Sequence, residues 1–151
     1  MLPELVVASA NPDKVKEISS VLEGLVTLIP RPRHVPDVVE DGDTLEDNAR
    51  LKAQAILKAT GIAALSDDTG LSVDVLGGEP GVHSARYSGE NATYEENVEK
   101  LLQNLDGVPP RLRTARFKTV AMICYPDGSE IIATGVVEGM ISESRKGVEG
   151  F

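Results

Sequence analysis

Two adjacent carboxylates follow an apolar segment near the middle of the chain. Asp67 and Asp68 come after the apolar residues 62–65, and Thr69 and Gly70 complete a polar loop. Loops at strand ends bind ligands in open α/β sheets, and carboxylate oxygens suit Mg²⁺ or Mn²⁺ rather than zinc. Because side chains alternate along a strand, we expect one aspartate to enter a cleft and the other to support the backbone, unless a turn intervenes. A plain surface turn would also tolerate this sequence.

A second polar segment places a lysine in the apolar face of a predicted helix. Residues 40–44 are Glu-Asp-Gly-Asp-Thr, and carboxylates at a helix start favour its positive end. The apolar stripe of this helix consists of Leu45, Ala49, Ala53 and Ile56. Lys52 lies in the stripe, one turn after Asn48. A lysine there is costly unless it reaches solvent or an anion, so both snorkelling and an anionic partner in a cleft remain open.

The residues after the first apolar run have the composition of a phosphate site. Ser9, Asn11 and Lys14 lie between a predicted strand and a predicted helix, where backbone N–H groups carry partial positive charge. A hydroxyl, an amide and an ammonium would complement a phosphate. Equally, Asn11 could form an Asx turn and Lys14 could be a solvated helix residue. The chain has no GxxxxGK[ST] motif, so this segment is not a P-loop.

Three further side chains are of types that could do chemistry. Arg86, in the segment 81–89, could clamp a phosphate with its fork of donors. His83 is interpreted as a loop or interface residue rather than a ligand. Cys124 lies in an apolar strand and is interpreted as a buried, inert thiol.

The elements that must position these residues alternate along the chain. Sequence patterns predict strands at residues 5–8, 25–29, 62–65, 71–76, 113–125 and 130–141. They predict helices that begin at Pro12, run from Thr44 to about Thr60 before Gly61, and begin at Thr93 with Glu96 as its capping partner. A loop is expected at 77–81 and a hairpin turn at 126–128. Early alternation followed by a hairpin predicts an α/β fold with a mixed β-sheet flanked by helices.

Composition limits the classes of function. A chain of 151 residues with 41% hydrophobic and 26% charged residues is typical of one globular domain. A net charge of −9 argues against non-specific nucleic-acid binding, although a bound cation can reverse the local sign. We expect neither a membrane span nor a signal peptide. A single cysteine cannot form an internal disulfide, which fits a cytoplasmic protein.

Taken in order, four motifs resemble the inosine triphosphate pyrophosphatase family, also called noncanonical purine NTP pyrophosphatases. The motifs are Ser9-x-Asn11-x-x-Lys14-x-x-Glu17, Glu40-x-Gly42-x-Thr44-x-x-x-Asn48-Ala49-x-x-Lys52, Asp67-Asp68-Thr69-Gly70-Leu71-x-Val73-Asp74 and Gly81-Val82-x-Ser84-Ala85-Arg86-Tyr87-Ser88-Gly89. They occur in the family's order and cover nearly the whole chain. One departure is Asp47, where the family usually has Glu.

The resemblance implies an elongated mixed sheet with two lobes, an active-site cleft between them, and a homodimer. It implies Mg²⁺-dependent hydrolysis (Mn²⁺ is also possible) of ITP, dITP and XTP to the monophosphate and pyrophosphate. The implied substrate-binding residues are Ser9, Asn11, Lys14, Lys52, Thr69 and Arg86. Glu40 and Asp68 are the implied metal ligands, and Asp68 would also orient or deprotonate the attacking water.

The family pattern continues beyond Phe151, into residues that read the purine. We therefore expect residues 1–151 to be a single domain of this family, truncated at its C-terminal end. Two alternatives remain open. One is a septum-inhibitor-like pyrophosphatase that acts on modified pyrimidine or methylated nucleotides, and the other is a nucleotide-binding module without catalysis.

Overall fold

A six-stranded mixed sheet carries the fold in the computed structural model, which describes residues 1–145. The strands are β1 (Glu4–Val7), β2 (Thr27–Ile29), β3 (Ala64–Val73), β4 (Pro80–Gly81), β5 (Thr114–Cys124) and β6 (Glu130–Met140). Their order is β2-β1-β3-β5-β6, with β4 paired to β3. β1 runs parallel to β2 and β3, whereas β4 is antiparallel to β3. The predicted α/β class with a mixed sheet is confirmed.

Within residues 1–145, three α-helices form where the local capping signals predict them. They are α1 (Pro12–Leu22), α2 (Leu45–Thr60) and α3 (Tyr94–Asn104). At the start of α2 the Thr44 hydroxyl accepts the Asp47 N–H at 3.0 Å, and Gly61 ends the helix with a φ of 71°. Thr93 and Glu96 form a complete capping box ahead of α3. No helix among residues 1–145 is long and apolar enough to cross a bilayer.

The middle of the chain differs from the prediction. β3 is one strand of ten residues, where two strands separated by a polar turn were expected. Its first residues pair with β1 and its last with β4, through Val7↔Leu65 and Leu71↔Gly81. Pairing at both ends overrides the low strand propensity of the polar residues between them. The predicted strand at 71–76 therefore ends at Val73, and the predicted loop at 77–81 contains β4.

The chain divides into two compact units, each with its own core. The first unit comprises Met1–Asp68 and Val120–Thr134. One of its clusters packs α2 against the sheet through Val6, Ala49, Ala53, Ile56, Ala64 and Met122, and another joins α1 to Leu5 and Leu65. The second unit begins at Thr69, inside β3, and its core contains Val73, Leu101, Leu105 and Ala115. The expected single domain with a truncated end stays a prediction, since residues 146–151 lie outside the described part.

Candidate active site

Polar segments from three parts of the first unit gather where β1 ends beside β3. The Ala8 N–H donates to the Leu65 carbonyl at 2.8 Å, which continues the parallel ladder to the last residue before Ser9. The chain leaving β1 at its carboxyl end therefore runs beside the polar middle of β3. Such an edge is the usual place for ligands in α/β sheets.

Ser9 and Asn11 shape the turn between β1 and α1. The Asn11 Oδ1 accepts the Asp13 N–H at 3.0 Å, and the Ser9 hydroxyl accepts the Asn11 N–H at 3.1 Å. Pro12 occupies the first turn of the helix, where its fixed φ is tolerated. The Asx turn that the composition allowed is thus present. A phosphate contact by either side chain stays a prediction.

Lys14 is anchored to the first aspartate of β3. Its Nζ lies 3.0 Å from Asp67 Oδ2, and the two side chains are only 19% and 14% exposed. The alternative of a solvated helix lysine is therefore wrong. Asp67 is occupied by this ion pair, which leaves Asp68, on the opposite face of the continuous strand, as the separate carboxylate.

Lys52 reaches anions rather than solvent alone. Its ammonium donates to the Asp67 carbonyl, lies 3.1 Å from Glu40 Oε1, and lies 3.9 Å from Asp68 Oδ1. The side chain is 22% exposed. The sequence left two alternatives for Lys52, snorkelling to solvent and pairing with an anion, and the structure shows the anionic partner. Glu40 and Asp68 come from a loop and a strand far apart in sequence, and Lys52 holds them around one positive charge.

Asp68 has an unusual environment. Its Oδ2 is buried and accepts no hydrogen bond from any residue among 1–145. Burial raises the pKa of Asp68 above its ordinary value, and the charge of Glu40 raises it further. Lys52, Asn48 and Lys14 act in the opposite direction without cancelling the shift. A buried carboxylate oxygen without a partner is a candidate for binding a proton or a cation.

The donor set around Lys52 fits magnesium. No group of three or more His, Cys, Asp or Glu side chains in the described range could hold a metal alone. Mg²⁺ does not need such a cage, since it commonly binds through one or two carboxylates, several waters and the phosphates of its substrate. Glu40 and Asp68 supply those carboxylates, and the orphaned Oδ2 is an available ligand atom. The predicted metal ligands are therefore chemically suited to this ion.

The remaining two predicted site residues belong to the second unit. The Thr69 hydroxyl lies 2.8 Å from the Thr119 hydroxyl. Arg86 ends a short 3₁₀ turn that is held by Ser84, whose Oγ accepts the Leu71 N–H and donates to the Gly81 carbonyl. The structure thus brings Lys14, Glu40, Lys52 and Asp68 together in one unit. Contact of Thr69 and Arg86 with substrate stays a prediction.

The predicted site set omitted Asn48. This side chain is 1% exposed, and its Oδ1 accepts the Gly42 N–H at 2.8 Å. One signal could have identified it: a polar residue one turn before Lys52 in an otherwise apolar stripe. The sequence does not show which partners would satisfy the amide.

A family comparison decides the relationship of this chain to known proteins. The model described as the Ham1 family matches residues 5–151. The chain belongs to the Ham1 family. This membership confirms the resemblance that the four motifs carry. Among curated relatives of this Ham1 protein is the dITP/XTP pyrophosphatase of Geobacter sulfurreducens, 45% identical over 99% of this chain and 77% of that protein. The dITP/XTP pyrophosphatase of Shouchella clausii is 41% identical over 98% of this chain and 76% of its own length.

Solved structures agree with the Ham1 assignment. A HAM1 protein from Coxiella burnetii superposes with a TM-score of 0.89 at 39% identity, covering 100% of this chain and 78% of that one. The Staphylococcus aureus Ham1 protein gives 0.84 at 39% identity, over 98% of this chain and 77% of its own. The fold of this Ham1 chain is therefore shared with experimentally solved relatives.

Proposed function

We propose that this protein is a Mg²⁺-dependent pyrophosphatase that hydrolyses dITP, ITP and XTP to the nucleoside monophosphate and pyrophosphate, and so removes unwanted purines from the nucleotide pool. Its membership of the Ham1 family and the printed activity of its relatives, dITP/XTP pyrophosphatase, support this assignment. One structural observation carries it: Lys14 and Lys52 converge on three carboxylates, those of Glu40, Asp67 and Asp68, and one oxygen of Asp68 is buried without a partner.

Lys14 and Lys52 are the proposed binding groups for the triphosphate. Lys14 and Lys52 each pair with carboxylates in this structure, and an ammonium can exchange such partners for phosphate oxygens because it acts as a point charge without a fixed geometry. The start of α1, with Ser9 and Asn11, adds backbone N–H groups that favour a phosphate. Thr69 and Arg86 are proposed as further substrate-binding residues.

Asp68 is the proposed general base. Bound Mg²⁺ would neutralise phosphate charge and lower the pKa of water, and Glu40 and Asp68 are the residues that would hold it. The Asp68 carboxylate accepts a proton from the attacking water. The water oxygen then forms its bond to the α-phosphorus as the bond from that phosphorus to the α–β bridging oxygen breaks and pyrophosphate leaves. A carboxylate whose pKa is raised by burial is a better proton acceptor than an ordinary aspartate.

Pyrophosphate release from dITP and dATP in Mg²⁺ tests this function. We expect dITP to be the far better substrate, since a site that hydrogen-bonds a base edge can reject an analogue lacking that group by roughly 10⁴–10⁵-fold. Equal rates for the two purines would contradict the substrate assignment. Faster release from a modified pyrimidine or methylated nucleotide would favour the septum-inhibitor-like alternative. Tight ITP binding without any release would favour a binding module.

We also propose that the protein is a cytoplasmic homodimer whose partner molecule is a small nucleotide, not nucleic acid or a membrane. The family resemblance supports the dimer. The single free, buried cysteine supports a reducing compartment, and the charge of −9 argues against binding to nucleic acid. Light scattering after size exclusion tests the dimer, which requires twice the mass of the chain.

A further inference from the structure

Asn48 is the most deeply buried polar side chain beside the cluster formed by Lys14, Glu40, Lys52 and Asp68. Among residues 1–145 the buried polar or charged residues are Asn48, Ser66 and Arg113. Asn48 lies on α2, one turn before Lys52, with 1% of its surface exposed. An amide buried without partners would destabilise the fold. Its contacts should therefore explain why this position is not apolar like the rest of the stripe.

The amide joins the two segments that carry the proposed metal ligands. The Asn48 Oδ1 accepts the Gly42 N–H at 2.8 Å, and Gly42 is two residues after Glu40. On its other side the amide lies close enough to the Asp68 carboxyl to lower its pKa. A backbone N–H can only donate and a carboxylate can only accept, so the oxygen must face Gly42 and the nitrogen must face Asp68. An aspartate, a leucine or an alanine at this position could not serve both partners.

Gly42 allows this close approach because it has no side chain. A Cβ at Gly42 would lie 2.7 Å from Asn48 Oδ1 and 2.6 Å from Asp47 Cβ. Both separations are too short for real Cβ contacts, and the second is to an atom of the helix that cannot swing away. The backbone of the Glu40 segment is therefore seated directly on α2 at Asn48.

We propose that Asn48 is a positioning residue that fixes the Glu40 and Asp68 carboxylates relative to one another, so that the pair can take up a divalent cation. The inference rests on the proposed function in one respect, since it uses the metal pair named there. Its own content is that one amide, supported by the glycine it contacts, sets the separation of the pair. Lys52 neutralises the two carboxylates but cannot fix their positions, because an ammonium imposes no direction on its partners.

Binding of Mn²⁺ alone tests the inference without any catalysis. Free Mn²⁺ is measured by electron paramagnetic resonance during titration of the wild type, Asn48→Ala and the matched control Ser66→Ala. Ser66 is also buried, and its hydroxyl donates to the Ala49 carbonyl of the same helix. Removing a group that orients a metal ligand typically weakens metal binding about 10–100-fold. We expect a loss of that size in Asn48→Ala and a change of no more than about twofold in Ser66→Ala, with similar falls in melting temperature for both variants.

Equal Mn²⁺ affinities for Asn48→Ala and the wild type, or equal losses in both alanine variants, would overturn the inference. A second variant, Gly42→Ala, approaches the same contact from the other side while Asn48 remains in place. It should also weaken Mn²⁺ binding, and it carries the test if Asn48→Ala does not fold. Unchanged Mn²⁺ affinity in a folded Gly42→Ala would count against the proposal.

The outcomes separate this inference from the proposed function. If dITP is not hydrolysed but Asn48→Ala selectively loses Mn²⁺, the proposed function fails and the positioning role stands. If dITP is hydrolysed and Asn48→Ala binds Mn²⁺ normally, only the positioning role fails. A wild type that binds no Mn²⁺ overturns both the metal pair and the role of Asn48. In active protein, the Mg²⁺ concentration for half-maximal rate should rise in Asn48→Ala in proportion to the Mn²⁺ dissociation constant.

Discussion

Two basic residues stand two positions apart on α2, and both lie among carboxylates, yet they are bound in opposite ways. The Arg50 guanidinium forms a fork with Glu130, at 2.9 Å from Nε to Oε2 and 3.2 Å from Nη2 to Oε1. It also reaches Glu46 at 3.0 Å. These hydrogen bonds raise the pKa of Arg50, with Glu130 as the largest cause, and the same contact lowers the pKa of Glu130.

The Lys52 ammonium lies between two carboxylates and does not form a fork of paired hydrogen bonds with either of them. It lies 3.1 Å from Glu40 and 3.9 Å from Asp68, and the pKa of Asp68 is raised because burial outweighs the nearby positive charge. A planar guanidinium fixes the direction of its partners, whereas an ammonium does not. The cluster of Arg50, Glu46 and Glu130 (the Arg50 cluster) is therefore suited to holding the start of β6 on α2. The cluster of Lys52, Glu40 and Asp68 (the Lys52 cluster) keeps Asp68 Oδ2 available, which suits the exchange of ligands.

The largest expected difference between the clusters comes from Asp68→Asn. We expect pyrophosphate release from dITP to fall by roughly 10²–10⁴-fold, since the variant removes the proposed base and a metal ligand. We also expect the melting temperature at pH 7 to rise. The pKa of Asp68 is raised in the folded state, so its charged form is disfavoured there.

The sign of this stability effect can be followed with pH. Below the ordinary pKa of an aspartate, Asp68 is protonated in both the folded and unfolded states, and the variant should gain little. As pH rises through the raised folded pKa, the wild type loses stability that the amide retains. Thermal melting between pH 4 and pH 8 measures the change. A variant that is less stable than the wild type at pH 7 would contradict this view of the Lys52 cluster.

Replacing each of the two basic residues by methionine tests directly whether Lys52 and Arg50 have different roles. Lys52→Met should lower kcat/KM for dITP by on the order of 100-fold, because it removes a positive charge from the proposed phosphate site and leaves Glu40 and Asp68 unneutralised. Arg50→Met should leave kcat/KM within a few-fold of the wild type and lower the melting temperature instead. Steady-state rates and thermal melting of both variants are the measurements. If Arg50→Met were the more damaging to catalysis, the assignment of roles would be reversed.

Glu130→Gln should produce a smaller effect with the opposite pH dependence. The hydrogen bond from Arg50 lowers the pKa of Glu130 below its ordinary value of 4.5. The carboxylate therefore contributes stability above that value and loses it as pH falls through the folded pKa. The variant should melt at a lower temperature than the wild type at pH 7, and the difference should disappear in acid. Glu99→Gln, at an exposed glutamate of α3, is the matched control and should show no such trend.

The elements that could be predicted are those whose determinants lie close together in sequence. Thr44 and Gly61 bound α2, and Thr93 with Glu96 begins α3, because caps bond to backbone groups within one turn. The continuity of β3 could not be predicted in this way. It depends on pairing with β1 and β4, which are distant in the sequence, and polar residues at its centre suggested a turn.

The site shows the same division. Lys52 could be identified because a lysine in an apolar helical stripe must find a partner, and that partner is observed. The position of Asn48 in the same stripe could also be noticed, but its role could not be predicted, because its partners, the Gly42 N–H and Asp68, are not visible in the sequence. The pairing of Asp67 with Lys14 likewise depends on the register of β1 against β3.

The smallest expected effect concerns Cys124, which reports on the Arg50 cluster. The structure confirms a buried thiol, whose Sγ lies 3.6 Å from Glu130 Oε2. Burial raises its pKa to about 11, and the charge of Glu130 adds to the shift. At pH 8 only about one thiol in a thousand is then ionised, so reaction with a disulfide reagent should be slow in the folded protein and fast after unfolding. Because burial is the larger cause, Glu130→Gln should accelerate the folded-state reaction only a few-fold. Reaction of the folded variant at the rate of the unfolded chain would instead show that Glu130 and Arg50 hold β6 over the thiol.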